Sequence, residues 1–356
     1  MNNIKNRILS SNFAKAEFSG SGGKWKKVIV RPVEIRYTKM MQFSYWDGKK
    51  DITKNYFGEE LLSKLDELTQ EKFKKVKIRE LGQGESPDLR HDRQKKYILE
   101  VGKPVPFLIA LRIMSKEGKI KAKMYNKFVQ INQFLKYLSE IEELKKINSR
   151  PIYLVDCGCG NAYLTLAAYH YLNNELKIST KVTGIDINGL LVKRNQEKVK
   201  KLSWANIEFV QNRIISFVPG QNPDIVLALH NCDIATDEAL AQAIKWKAKI
   251  ILAAPCCQHE LQTQLRVKPN FEPLFRNGII KERLSNVLTD TFRAAILRVH
   301  GYKTEVVEFI DSKHTPKNIL IRAVKVYLEK DKNYLNEYEG LKNFWQVTPI
   351  LEKLLT

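Results

Sequence analysis

Apolar and polar positions follow two different rhythms along this chain. Near the start, FSGSGGKWKKVIVRPVEIR puts a flexible Gly/Ser run ahead of an apolar strand flanked by bases and Trp25. MQFSYWDGKKDITKNYF then alternates aromatic and polar residues around an Asp47-Gly48 turn, which predicts a β-hairpin. GEELLSKLDELTQEKF has helical spacing, FKKVKIRELGQ reads as a strand, and GESPDLRHDRQKK as a polar, basic loop. Residues 1–115 are therefore expected to form a small, basic α+β module. From 120 to 146, Met124, Phe128, Ile131, Phe134, Leu135 and Leu138 recur at three- and four-residue steps. That spacing predicts one long amphipathic helix, a packing element within a linker spanning 116–150.

Beyond residue 150 the rhythm changes to short, continuous apolar runs separated by helical stretches. PIYLVDC, KVTGIDI, NIEFVQ, DIVLALH, KIILAAP, TEVVEFI and NILIRAVKVYL read as strands. AYLTLAAYHYLNN, LLVKRNQEKVKKL, TDEALAQAIKW and ERLSNVLTDTFRAAILRVHG read as helices. Such alternation predicts an α/β, doubly wound sheet with helices on both faces over residues 151–328. The short link between TEVVEFI and NILIRAV implies an antiparallel pair at the end of that sheet, because a parallel pair needs a longer crossover. A charged helical tail is expected over 329–356.

Composition fits this picture of more than one domain. The chain has 356 residues, 44% hydrophobic and 28% charged, enough for a sizeable core. No apolar stretch approaches a membrane span, and the basic start lacks the apolar centre of a signal peptide. Five cysteines, an odd number in a large chain, fit reduced thiols and a cytoplasmic setting. No obligate protein partner is evident. Sixty Lys and Arg against 39 Asp and Glu give a net charge of +21. Residues 1–40 alone hold nine bases and two acids. Such a field attracts polyanions, although a lysine-rich solvated surface accounts for the same numbers. Phe43, Tyr45 and Trp46 among these bases read either as stacking platforms for unpaired bases or as core.

The first chemical motif is Asp156-Cys157-Gly158-Cys159-Gly160-Asn161-Ala162, between an apolar strand and a helix. Glycines there let backbone turn tightly and approach a ligand. Thirty residues after Asp156, Asp186 ends the next strand, where a carboxylate can take both hydroxyls of a ribose. These residues resemble the class I S-adenosylmethionine-dependent methyltransferases, whose Rossmann-like seven-stranded sheet ends in an antiparallel pair. The resemblance covers about residues 120–328, with Ala162 where a third glycine is frequent. It implies that Asp156, Gly158, Cys159, Gly160 and Asn161 contact the methionine part of the cofactor and Asp186 its ribose. Ile187 joins the cofactor contacts, and Asn212, Arg213 and Ile214 border the adenine, although an Asp is common where Arg213 stands.

In that topology Cys157, Cys159, Cys232, Cys256 and Cys257, with His230 and His259, fall at the tips of three neighbouring strands. Three readings stay open. One cysteine is a nucleophile, as in 5-methylpyrimidine RNA methyltransferases, although their usual Pro-Cys is replaced here by Asn231-Cys232-Asp233. Alternatively Cys256, Cys257 and His259 bind zinc, without CxxC spacing to support them. Or small side chains shape the pocket wall. HNCDIATDEAL with APCCQHEL resembles a subgroup containing the methyltransferase-like 25 proteins and, more distantly, the eukaryotic tRNA acceptor-stem ribose 2′-O-methyltransferase. That resemblance implies RNA, tRNA or rRNA, as substrate. The candidate catalytic residues are His230 as general base, Asp233 as helix cap or orienting group, and Cys256. No metal is expected. No Asn/Asp-Pro-Pro-Tyr run follows the fourth strand, which counts against that type of amine methylation. Lys313, His314 and Lys317 offer a basic edge or a solvated loop. A cofactor-binding RNA chaperone and a protein or small-molecule methyltransferase are the alternative functions.

Overall fold

The computed structural model describes residues 2–20, 23–35, 38–48, 50–71, 73–82, 85, 97–146, 151–229, 233–256, 259–309, 318–326 and 332–356. Two compact units divide the chain, Met1–Lys96 and Tyr97–Thr356.

The first unit contains α1 (Asn2–Ile8), β1 (Phe13–Ser19), β2 (Lys27–Ile35), β3 (Thr38–Trp46), β4 (Asp51–Tyr56), α2 (Gly58–Gln70) and β5 (Lys75–Glu80). Its strands form one antiparallel sheet in the order β4-β3-β2-β1-β5. The hairpin register pairs Trp46 with Asp51 and Met41 with Tyr56. At its turn, Lys50 N–H donates to Asp47 Oδ1 at 2.8 Å. Because side chains alternate, Ala16, Phe18, Val28, Val30, Phe43 and Tyr45 fall on one face, and an irregularity between Phe13 and Lys15 brings Phe13 to it as well. There they bury against Ile8 of α1 and Leu65 and Leu68 of α2. Phe43 and Tyr45 are therefore core, whereas Trp46 is 41% exposed. Most of the polar GESPDLRHDRQKK stretch lies outside the described residues.

The second unit contains α3 (Pro106–Ala110), α4 (Tyr125–Ser139), β6 (Ile152–Cys157), α5 (Tyr163–Tyr169), β7 (Thr180–Asp186), α6 (Gly189–Leu202), β8 (Ile207–Gln211), β9 (Ile225–Leu229) and α7 (Ile234–Lys245). Then follow β10 (Ile250–Ala254), α8 (Glu260–Gln264), α9 (Glu272–Phe275), α10 (Gly278–Val299), β11 (Tyr302–Glu308), β12 (Ile319–Lys325), α11 (Lys332–Trp345) and α12 (Ile350–Leu355). The seven strands run in the order β11-β12-β10-β9-β6-β7-β8, with β12 antiparallel to both neighbours. The remaining neighbour pairs, β10–β9–β6–β7–β8, are parallel. This is the Rossmann-like α/β sheet expected of a class I methyltransferase, with the antiparallel pair at its edge.

The continuous apolar runs have a simple origin: each central strand feeds two cores at once. Ile152 and Leu154 of β6, Ile225, Leu227 and Leu229 of β9, and Ile250 and Leu252 of β10 enter a core with α3 to α6. Tyr153, Val155, Val226, Ala228, Ile251 and Ala253 enter the opposite core, with α7, α10, α11 and α12.

Contacts group residues 97–115 with the second unit, because Leu99, Val105, Phe107, Leu108, Leu111, Ile113 and Met114 belong to the same core as α4. The helix expected over 120–146 is a 3-10 turn at 122–124, then α4, then a second 3-10 turn at 142–146. Over 332–356, α11 and α12 bury Tyr338, Trp345, Val347 and Leu351 in the second core. Among the described residues, no helix is long and apolar enough to cross a membrane.

Candidate active site

The glycine turn grows directly out of β6. Gly158 and Cys159 N–H both donate to Ile185 O, at 2.8 and 2.9 Å, tying the turn to the end of β7. Gly158, Gly160 and Ala162 all have positive φ, at 71°, 52° and 60°. The first two are glycines, for which this region is unstrained. Ala162 is an alanine in the left-handed region and fully buried, so the expected departure from a third glycine sits at a position that favours glycine. A Cβ on Gly160 would meet nothing within 4 Å, so the turn is open on that side. Its other side is closed: Asn195 Nδ2 donates to Gly160 O at 2.7 Å and Lys198 Nζ to Asn161 O at 3.0 Å.

Two carboxyl groups stand at adjacent strand tips. Asp186 ends β7 and is half-buried; its Oδ2 accepts Gly160 N–H and its Oδ1 accepts Asn188 N–H, both at 2.8 Å. Each oxygen retains acceptor capacity. Asp156 is buried in β6; Thr165 Oγ1 donates to its Oδ2 at 2.5 Å, and its Oδ1 is buried without a partner among the described residues. Burial pushes the Asp156 carboxyl up to about 7; the Thr165 hydrogen bond opposes this and the Asp186 charge adds to it. Among the described residues no cationic side chain lies within ion-pair distance of either carboxyl. Ile187, 68% exposed, follows Asp186 directly. Asn212 N–H donates to Asp186 O at 3.1 Å, placing the end of β8 beside the same tip. Arg213 is exposed, and the turn after it is held by Gln242 of α7, whose Nε2 donates to Ile215 O at 2.9 Å.

The tips of β9 and β10 form the other half of the region. His230, Asn231, Cys232 and Cys257 lie outside the described residues, as do Lys313, His314 and Lys317. Asp233 has φ 49° and ψ −121°, a sparsely populated conformation for a non-glycine. Its carboxylate makes no cap on α7. Instead Oδ1 accepts the N–H groups of His259 at 3.0 Å and Glu260 at 3.4 Å, so the loop after β9 is pinned to the start of α8. Its carbonyl is held from α10, where Arg293 Nη2 donates at 3.2 Å. Arg293 is itself buried, bidentate to Asp237 at 2.9 and 2.6 Å and within 3.3 Å of Asp290. Cys256 is half-buried two residues past β10 and His259 is exposed. Burial pushes the Cys157 and Cys159 thiols far up, which favours their neutral form. Among the described residues, no group of three His, Cys, Asp or Glu is placed to hold a metal ion.

Sequence reasoning missed Thr165, Asn195, Asp237, Asp290 and Arg293. Each is a polar residue on an apolar helix stripe, such as the Arg in FRAAIL, and that misfit is the signal that marks them. Gly184 was missed too. A Cβ there would come within 2.5 Å of the Phe209 ring and 3.1 Å of Cys159 Sγ.

Residues 126–264 match a family model described as a methyltransferase domain. This match, which lies within the second unit, supports an enzyme that takes its methyl group from S-adenosylmethionine. The matched span contains Asp156, Asp186, Asp233 and Cys256. Among curated proteins, a mouse Glutathione S-transferase C-terminal domain-containing protein is 27% identical over 195 residues, 48% of this chain and 30% of that one. The human protein of the same description is 25% identical over 197 residues, 49% of this chain and 30% of its own. The chain thus spans under a third of these relatives. Similar solved structures include an rRNA methylase from Streptococcus thermophilus, with 12% identity over 52% of this chain and 93% of that chain, at a TM-score of 0.35. A SAM-dependent methyltransferase from Aquifex aeolicus has 18% identity over 63% of this chain and 100% of that chain, also at 0.35.

Proposed function

We propose that this methyltransferase domain acts on RNA, either tRNA or rRNA, and holds its cofactor across the tips of β6, β7 and β8. The observation that carries the cofactor half is the pair of carboxyl groups, Asp156 and Asp186, bracketing a turn that is open at Gly160. When bound, the cofactor supplies an electrophilic methyl group on a positively charged sulfur. Asp186 takes the ribose hydroxyls with its remaining lone pairs, and Ile187, Asn212 and Arg213 border the base. Gly158, Cys159, Gly160 and Asn161 line the methionine part. Asp156, buried beside them without a cation of its own, favours a positively charged ligand.

On the acceptor side His230, directly after the last residue of β9, is the general base for the acceptor proton. Cys256 contributes to the pocket wall. Asp233 is a positioning residue, because its carboxylate is engaged by two backbone amides. Its strained backbone, restrained at both ends, is the kind of outlier that persists where function requires it. In-line placement with water excluded is most of what methyl transfer asks of a protein. RNA is favoured by the net charge of +21 and by the distant resemblance of HNCDIATDEAL and APCCQHEL to a tRNA ribose methyltransferase. A reducing, cytoplasmic setting fits the five cysteines.

Isothermal titration with S-adenosylmethionine should give binding that Asp186→Ala weakens by about 10- to 100-fold, the range for lost hydrogen bonds to a charged group. Methyl-labelled cofactor should then mark bulk RNA in preference to protein or metabolite pools. Label in protein or metabolites alone would overturn the RNA assignment. Binding without transfer to any pool would make the domain a cofactor-holding RNA chaperone.

A further inference from the structure

The first unit has a second sheet face that its core does not use. We infer that this face binds single-stranded RNA, through phosphate contacts from β5, β1 and β2 and base stacking on Trp46. The inference rests on the RNA reading above for the identity of the polyanion.

The register places the side chains. Val76 and Ile78 of β5 pack towards the core, so Lys75, Lys77 and Arg79 project from the opposite face. Across the sheet, Lys75 pairs with Ser19, Ser19 with Lys27, Lys27 with Trp46 and Trp46 with Asp51. The next row runs Lys77, Glu17, Ile29, Ser44 and Thr53. A third contains Arg79 opposite Lys15, and Arg31 opposite Gln42 and then Asn55. Six bases therefore share this face with two acids, Glu17 and Asp51. The Lys15, Lys27 and Arg79 side chains are 47%, 40% and 71% exposed; Lys15 and Lys27 share the single carboxylate of Glu17, at 3.8 and 2.9 Å, and Arg79 lies 3.6 Å from Glu85. Residues 1–96 hold 22 Lys and Arg against 13 Asp and Glu, so 9 of the 21 net charges stand on about a quarter of the chain.

Charge alone would fit any polyanion; Trp46 narrows the class. It is the large exposed ring of this face, set directly across from Lys27, and its π-surface is available because Phe43 and Tyr45 take the core positions on β3. A ring beside cations stacks on unpaired bases whatever their identity, and a duplex hides those faces. Between ring and bases, Ser44 and Thr53, with hydroxyls 3.4 Å apart, suit backbone and sugar contacts, whereas Gln42 is buried and held by Arg31 and Asn55.

The test uses the full chain without cofactor and a fluorescent uridine dodecamer, read by anisotropy between about 50 and 200 mM salt. K75E/K77E/R79E should weaken binding more than about tenfold and lower the slope of log affinity against log salt by about two, as expected for three lost phosphate contacts. Trp46→Ala should weaken it about 5- to 150-fold with the slope unchanged, and Trp46→Phe should restore most of the loss. The control K181E/K245E/K247E makes the same charge change at exposed positions of the second unit and should leave affinity nearly unchanged. Matched circular dichroism spectra establish that each variant is folded. Equal losses in both triple variants, no effect of Trp46→Ala, or equal or tighter binding of a duplex or an acidic peptide would overturn the surface. If the dodecamer binds as described but no RNA is methylated, the surface stands and the RNA methyltransferase reading falls. If RNA is methylated with unchanged KM by K75E/K77E/R79E, the surface falls and the catalytic reading stands.

Discussion

The two sheets of this protein use one alternation for opposite ends. In the five-stranded sheet, one set of alternate residues forms the core and the opposite set is mostly basic or polar, so one face is core and the other carries charge. In the central strands of the seven-stranded sheet both sets are apolar and both faces are buried, and the carboxyl groups of Asp156 and Asp186 stand at the strand ends. Polar groups there are few, buried and individually consequential. On the first sheet they are many, exposed and individually small.

Substitutions sharpen that contrast, and the largest effect should come from below the tips. Arg293→Ala strands Asp237 and Asp290 in the core and should cost about 3–5 kcal/mol in chemical denaturation. Replacing all three by apolar residues of similar size should recover most of that loss. Next is Asp156, whose carboxyl is held protonated to about pH 7. The folded state binds its proton more tightly than the unfolded chain, so stability from this group falls as pH rises from about 4 to about 7 and is level above. The stability difference between the protein and Asp156→Asn should follow that window. A cationic ligand beside Asp156 reverses the preference: affinity should strengthen as pH rises through 7, with proton release seen by titration calorimetry in buffers of different ionisation enthalpy.

Smaller again, Gly184→Ala drives a Cβ into the Phe209 ring and should destabilise by about 1–3 kcal/mol. Ala162→Gly relieves a left-handed alanine and should raise the thermal midpoint, with a gain under about 1 kcal/mol. Trp46→Ala and Lys77→Glu, on the charged face, should change stability by less than about 0.5 kcal/mol. A loss of 2 kcal/mol or more at Trp46 would break the contrast, since it would make the second face structural.

Much of this was legible beforehand, for physical reasons. Strands buried on both faces announce themselves as unbroken apolar runs, and the Gly turn with Asp186 is local in sequence and fixed in topology. The hairpin was readable from its alternation. Whether Phe43, Tyr45 or Trp46 faced the core was not, because that depends on register against β2 and on which side α1 and α2 dock. The grouping of residues 97–115 with the second unit was hidden because Leu99 to Met114 lack a repeating period, yet they all find the same core. Arg293 was read as part of an ordinary helix. Its partners lie 56 residues away on α7 and three away on α10, and only folding shows that they converge.

Asp233 joins two loops with its carboxylate while its carbonyl hangs from α10. Among the described residues, Asp233 thus ties the loops after β9 and β10 to the helical layer behind them, whereas Asn195 and Lys198 tie the turn after β6 to α6 on the opposite layer. On the function proposed above, insertions or drift in one layer would retune which molecule is presented for methylation while the grip on the methyl source stays as it was.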